Sequence, residues 1–297
     1  MTVEQLGRFR NEAARQRFLI AYDDALGAWP TPPSQCDVAT HYGTTHVLVT
    51  GPSSGTPIIL LHAIAVASPS WYPSIAALSE HHRVYAVDTM GDAGRSTQTA
   101  RIRSGVDFSR WVLEVLDALE LERAHLVGLS YGGWLALNQA HRSPARLTSV
   151  TSVDPPGALG RPRGSFLIRI LPDSLLAMAK SDTALHRLLR LLNNGTLPAQ
   201  PLLDLSVTGL RTFRAKLPFP KRMSDDELRV IHVPTLVLLC ERSPVNKASR
   251  AMERARRSIA NVEAEVVAEA GHMLPVEMPE LFASRLIRFI DAVDRCS

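Results

Sequence analysis

The chain has 297 residues, 45% of them hydrophobic and 21% charged, with a formal net charge of +4. That much apolar material suits one sizeable soluble core, and no low-complexity segment or internal repeat interrupts it. Arg8, Arg10, Arg15, Arg17, Glu4, Glu12, Asp23 and Asp24 break up the first thirty residues, and no later stretch reaches the roughly 18 uncharged apolar residues of a membrane span. A signal peptide and a membrane partner are therefore not expected, and a cytoplasmic location is.

In chain order, Glu4 to Leu26 has helical composition and stops at Trp29-Pro30. Cys36–Tyr42 and Thr45–Thr50 are β-rich and meet at Gly43 as a hairpin would. After the turn cluster Gly51–Gly55, strands and helices alternate. Pro57–Leu61, Val84–Val87, Ala124–Val127 and Leu147–Val153 are the strands. Trp71–Ser79, Phe108–Leu119 and Tyr131–His141 are the helices between them. Such alternation predicts an α/β fold with a mostly parallel central sheet covered by helices on both faces.

From Pro155 to Arg229 the alternation lapses. Leu-rich helical pieces at Leu167–Ile170, Leu175–Ala179 and Leu185–Leu192 are separated by prolines, with no strand signal. The expected organisation is a core of residues 1–154 and 230–297 with a helical cap inserted at 155–229. Alternation resumes with a strand at Thr235–Leu239, a helix at Ala248–Ile259, a strand at Val262–Val267 and a helix at Pro279–Val293.

Cys36, Cys240 and Cys296 lack any metal or redox spacing and are expected to be free thiols. Arg250, Arg254, Arg256 and Arg257 are expected to form a solvated helix face rather than a nucleic-acid site. No cofactor or metal is implied, the expected partner is a small-molecule substrate, and nothing in the sequence specifies an oligomeric state.

The chemistry centres on Gly128-Leu129-Ser130-Tyr131-Gly132. A serine hydroxyl is a poor nucleophile at neutral pH, so it must stand clear of its own backbone, beside a base and at a helix N-terminus. A strand running into a tight turn that opens a helix meets those needs, and glycines two residues either side leave room for the turn. His272 follows the last strand on a Gly271 turn, where a base can reach a serine on neighbouring strand ends. The expected roles of the other histidines are structural: His81, His82, His141 and His186 at the surface or at helix ends, and His62 as a prop for a loop.

With these motifs the chain resembles the α/β-hydrolase family over nearly its whole length. Leu60-Leu61-His62-Ala63 stands where that family has a His-Gly turn. Asp88-Thr89-Met90-Gly91-Asp92-Ala93-Gly94-Arg95-Ser96 matches its D-x-x-G-x-G-x-S loop, and Gly271-His272 through Glu277 and Pro279 matches the segment bearing its histidine. The resemblance is closest to carboxylesterase-like and lactonase-like members. It implies Ser130 as nucleophile, His272 as base, and the Tyr131 and Ile64 amides as oxyanion donors.

One position departs from that pattern. The family places an acid a few residues past its seventh strand, where this chain has Ser243. Asp154, just past the sixth strand, is one substitute and Glu241 is another; a dyad with no acid is the third reading. The primary functional expectation is a serine hydrolase of an ester, lactone or thioester of a small to medium hydrophobic metabolite. The missing acid keeps two others open: a non-hydrolytic lyase, cyclase or isomerase on the same fold, and a ligand receptor without turnover. Phe166 with Arg161, Arg163 and Arg169 further suggests a hydrophobic substrate bearing an anionic group.

Overall fold

A run such as Pro57–Leu61 has no polar face, so it can be satisfied only between two layers of helices. The computed structural model, which describes residues 6–160 and 181–296, shows that arrangement. The strands are β1 (Ser34–Thr40), β2 (Gly43–Thr50), β3 (Thr56–Leu61), β4 (His82–Val87), β5 (Ala124–Leu129), β6 (Leu147–Val153), β7 (Thr235–Cys240) and β8 (Val262–Val267). They lie in the order β8-β7-β6-β5-β3-β4-β2-β1. From β4 to β8 every neighbouring pair is parallel, and β2 is antiparallel to both β1 and β4.

Two apolar clusters cover the two faces. On one, α3 (Gly105–Ala118), α4 (Tyr131–Arg142) and α8 (Ala248–Ser258) bury Trp111, Leu135 and Ala255 against Ile59, Leu126 and Val237. On the other, α2 (Tyr72–Ser79) and α10 (Pro279–Asp294) bring Trp71 and Phe282 into a stack 6.1 Å between centroids, over Leu60, Val127 and Leu238. Each strand therefore buries alternate residues on opposite sides, and each large side chain removed from water contributes about 1.5–3 kcal/mol.

Between β6 and β7 the described chain forms α5 (Asp182–Leu192), α6 (Gln200–Thr212) and the short α7 (Asp225–Arg229). The helices expected at Leu167–Ile170 and Leu175–Ala179 lie outside the described residues, as do Phe166, Arg161, Arg163 and Arg169.

Several expectations need correction. The first helix, α1, is Glu12–Leu26 and does not reach back toward Glu4, because the Asn11 side chain accepts the Ala14 N–H at 2.8 Å and caps it. The preceding Arg8–Phe9 instead pairs antiparallel with Phe213–Arg214 of the insertion, and Phe9 sits edge-on to Phe213. Helix α1 then packs on α6 through Phe18, Tyr22, Leu202 and Leu205, so the N-terminal segment braces the insertion. Arg254 is buried rather than solvated: it pairs with Asp225 and donates to the carbonyls of Ala158 and Met223. Finally, His82 is buried at the start of β4 instead of lying at the surface.

Candidate active site

The parallel register places the site. Leu129 of β5 pairs with Val153 of β6, so Ser130 and Asp154 both occupy the first position beyond adjacent strand ends. These are carboxyl ends of parallel strands, where α/β proteins gather their ligands. Each of the two residues turns the chain sharply, with φ of 54° at Ser130 and 43° at Asp154. Non-glycine residues hold such angles only where the surroundings enforce them. The Ser130 N–H donates to the Val153 carbonyl at 2.8 Å and the Asp154 N–H to that of Leu238 at 2.8 Å.

The turn tolerates no side chains on its flanks. A Cβ on Gly128 would lie 2.0 Å from the Gly132 carbonyl oxygen, and one on Gly132 would lie 2.1 Å from that of Leu61. Helix α4 starts at Tyr131, so the serine stands at the positive end of the helix dipole.

His272 arrives from the loop after β8. Its Nε2 lies 2.8 Å from Ser130 Oγ and its Nδ1 lies 2.6 Å from Asp154 Oδ2. An ionised carboxylate only accepts, so Nδ1 carries the hydrogen and Nε2 is left to receive the serine proton. The His272 loop is held from two directions. Its N–H donates to the Leu192 carbonyl of α5, while Glu277, in α9 (Leu274–Glu277), accepts the N–H groups of Gly271 and Met273.

Asp154 is fully buried and receives two further donors. Ser243 Oγ donates to Oδ2 at 2.5 Å and Asn246 Nδ2 to Oδ1 at 2.9 Å. The serine at the expected acid position therefore touches the Asp154 carboxylate. Glu241 is not brought to the histidine: it is exposed, and it accepts the Glu269 N–H at 3.0 Å.

Ile64 lies on the loop after β3, which the Asp88–Ser96 loop holds in shape. His62 donates from Nδ1 to the Ala63 carbonyl at 2.7 Å and accepts the Thr89 N–H on Nε2 at 2.9 Å. Asp92 accepts the Ala65 and Ala93 N–H groups, both at 2.8 Å, and Asp88 accepts that of Ser68. Burial pushes the Asp92 carboxyl above its ordinary value, opposed by His62 and these two backbone donors. Ala65, at φ 64°, takes the left-handed turn without a glycine. The Tyr131 and Ile64 amides have no acceptor among the described residues, and both residues line the cavity over Ser130.

That cavity measures about 440 Å³. Leu188, Leu189 and Leu192 of α5, Leu202 and Leu210 of α6, and the exposed Phe219 form its wall on the insertion side. Among the described lining residues the only ionisable side chains are those of His272 and Tyr131. No cluster of three or more metal-ligating side chains occurs among the described residues.

A model of the alpha/beta hydrolase family matches residues 58–285. The chain belongs to the alpha/beta hydrolase family. This alpha/beta hydrolase is 33% identical over 284 residues to carboxylesterase YbfK of Bacillus subtilis (strain 168), spanning 92% of this chain and 93% of that protein. It is 31% identical to the Bacillus subtilis (strain 168) protein named uncharacterized carboxylesterase nap, over 93% of both chains. The crystal structure of carboxylesterase CesB (YbfK) from Bacillus subtilis superposes with a TM-score of 0.87 at 31% identity, covering 94% of this chain and 98% of that one. For naproxen esterase (carboxylesterase NP) from Bacillus subtilis the TM-score is 0.86 at 30% identity, over 93% and 97% of the two chains. The chain is thus a hydrolase enzyme, similar to proteins named carboxylesterases, and no described helix is long and apolar enough to cross a membrane.

Sequence reasoning did not find Glu277, Asn246 or Asp92 as supports of the site. Glu277 and Asp92 lay within quoted motifs: Glu277 faces the N–H groups of Gly271 and Met273, whereas Asp92 joins those of Ala65 and Ala93 from two different loops. Asn246 carried no signal, since its contact with Asp154 spans 92 residues.

Proposed function

We propose that the enzyme hydrolyses neutral, largely apolar carboxylic esters through Ser130, His272 and Asp154, with residues 155–229 as the cap that shapes the acyl and alcohol pockets. The supporting observation is the pair of contacts on His272, to Ser130 Oγ at 2.8 Å and to Asp154 Oδ2 at 2.6 Å, at the floor of an apolar cavity.

The ester carbonyl enters above Ser130. As Oγ attacks the carbonyl carbon, its proton passes to His272 Nε2, and Asp154 stabilises the imidazolium that forms. The tetrahedral oxyanion takes the Tyr131 and Ile64 N–H groups, which are aimed before the charge develops and need no reorganisation. Collapse breaks the carbonyl carbon to alcohol oxygen bond, the leaving oxygen takes the proton from Nε2, and an acyl-serine remains. A water activated by Nε2 then attacks the acyl carbon, and collapse returns the proton to Oγ and releases the acid.

With Asp154 on His272, the vacancy at Ser243 no longer argues for the non-hydrolytic or receptor readings. The leucines, prolines and Phe219 of the described wall favour a neutral, apolar substrate, because a charged group moved against apolar side chains loses hydration that they do not replace. The three free cysteines fit action in a reducing compartment. A fluorophosphonate probe should label the wild type, and Ser130→Ala should lose both labelling and nitrophenyl ester turnover. Undiminished labelling of Ser130→Ala would refute the assignment.

A further inference from the structure

Two side chains that take no part in the proposed proton transfers converge on its acid. Ser243 and Asn246 both lie in the loop after β7, and both are buried, at 0% and 1% exposure. The Ser243 hydroxyl accepts the Val245 N–H at 3.1 Å, and its own hydrogen goes to Asp154 Oδ2. Asn246 Nδ2 reaches Asp154 Oδ1 at 2.9 Å and the Pro155 carbonyl at 3.2 Å. With His272, the carboxylate thus receives an imidazole, a hydroxyl and an amide donor. A buried carboxylate stays ionised only if its charge is met by such donors.

We propose that Ser243 and Asn246 are positioning residues for the acid. The claim follows from the contacts: Ser243 Oγ lies 2.5 Å from the very oxygen that His272 uses, and Asn246 Nδ2 lies 2.9 Å from the other. The inference rests on the Ser130, His272 and Asp154 reading. The titratable groups whose charges bear on this carboxylate are His272, Cys240 at the end of β7, and Glu277 on α9.

The test is steady-state hydrolysis of a short-chain nitrophenyl ester by the full chain, with rates normalised to sites titrated by a fluorophosphonate. Ser243→Ala and Asn246→Ala should each lower kcat about ten-fold with KM changed less than about two-fold, since a hydrogen bond to a charged group is lost away from the substrate. The acid limb of the kcat/KM profile should move to higher pH, because a carboxylate stripped of a donor holds protons, and the imidazolium beside it, more tightly. A merely structural role would leave that limb in place once active sites are counted.

Asp154→Ser should be nearly inactive. Wild-type kcat and pH profile in both alanine variants, with Asp154→Ser inactive, would overturn the positioning claim. Wild-type rates in Asp154→Ser would overturn the inference together with the reading beneath it.

Discussion

Glu277 spans the turn that carries His272: its Oε2 accepts the Gly271 N–H at 2.9 Å and its Oε1 accepts the Met273 N–H at 3.0 Å. The residues on either side of His272 are thus tied to one carboxylate. The tie has a cost, since burial pushes the Glu277 carboxyl above its ordinary value, with these two donors and His272 opposing. Glu277→Gln keeps one acceptor and turns an amide donor toward the other N–H. Turnover should fall about ten-fold at unchanged KM, as expected for losing one charge-assisted bond of roughly 1.5 kcal/mol. Wild-type kcat would show that the turn keeps its shape without the charge.

Gly209 of α6 approaches the loop that bears Ile64. A Cβ there would stand 2.4 Å from the Ala65 carbonyl oxygen, and both partners are backbone or rigidly held. Gly209→Ala should displace the loop bearing Ile64, proposed to donate to the oxyanion, lowering kcat by about ten-fold or more, with a stability loss of about 1–3 kcal/mol from overpacking. A denaturation midpoint and kcat both at wild-type values would mean that α6 and the loop move freely past each other.

Stability should depend on pH through His125. This buried residue of β5 contacts Ser149 Oγ at 2.7 Å and Asp294 Oδ1 at 3.0 Å. Burial lowers it from its ordinary 6.5, and the attraction of Asp294 opposes this only in part; His82 and Arg123 add to the lowering. The unfolded chain therefore binds the proton more readily than the folded one. His125 is neutral in both states above pH about 6.5, and stability declines as pH falls below it, by at most about 1.4 kcal/mol per pH unit. Urea midpoints measured from pH 8 down to pH 5 should show this decline, and His125→Gln should flatten it. An unchanged slope in the variant would assign the decline elsewhere.

The apolar cavity gives a substrate prediction. Between two esters of equal size, one neutral and one carrying a carboxylate on the acyl chain, kcat/KM should favour the neutral one by about 100-fold, a desolvation difference of roughly 3 kcal/mol. Equal rates, or a preference for the anion, would restore the anionic substrate suggested by the arginines at 161, 163 and 169.

Much of this was legible from local signals. The strand alternation exposed the sheet, because strands buried on both faces are continuous apolar runs. The glycines at 128 and 132 singled out Ser130, because the turn admits no Cβ at either. The acid was ambiguous for a different reason. Asp154 lies 89 residues before Ser243 and nearly as far before Glu241, and only the in-register strand ends and the loops beyond them show which one meets His272. The extended Arg8–Phe9 was hidden as well, since its partner at Phe213–Arg214 lies some 200 residues away and two-residue ladders leave no periodicity. Arg254 was misjudged because an arginine on a helix reads as solvated until a partly exposed carboxylate and the carbonyls of Ala158 and Met223 are known to face it.

The carboxylate on His272 comes from Asp154. Its role is tested by comparing kcat for Asp154→Asn and Glu241→Gln on one nitrophenyl ester. Asparagine suits the positive φ at 154 but presents an amide to Nδ1, a change that costs serine proteases with this relay about 10⁴-fold. The account predicts a loss on the order of 10³-fold to 10⁴-fold for Asp154→Asn and a change within about two-fold for Glu241→Gln. A folded Asp154→Asn enzyme that turns over like the wild type, or a larger loss at Glu241, would contradict it.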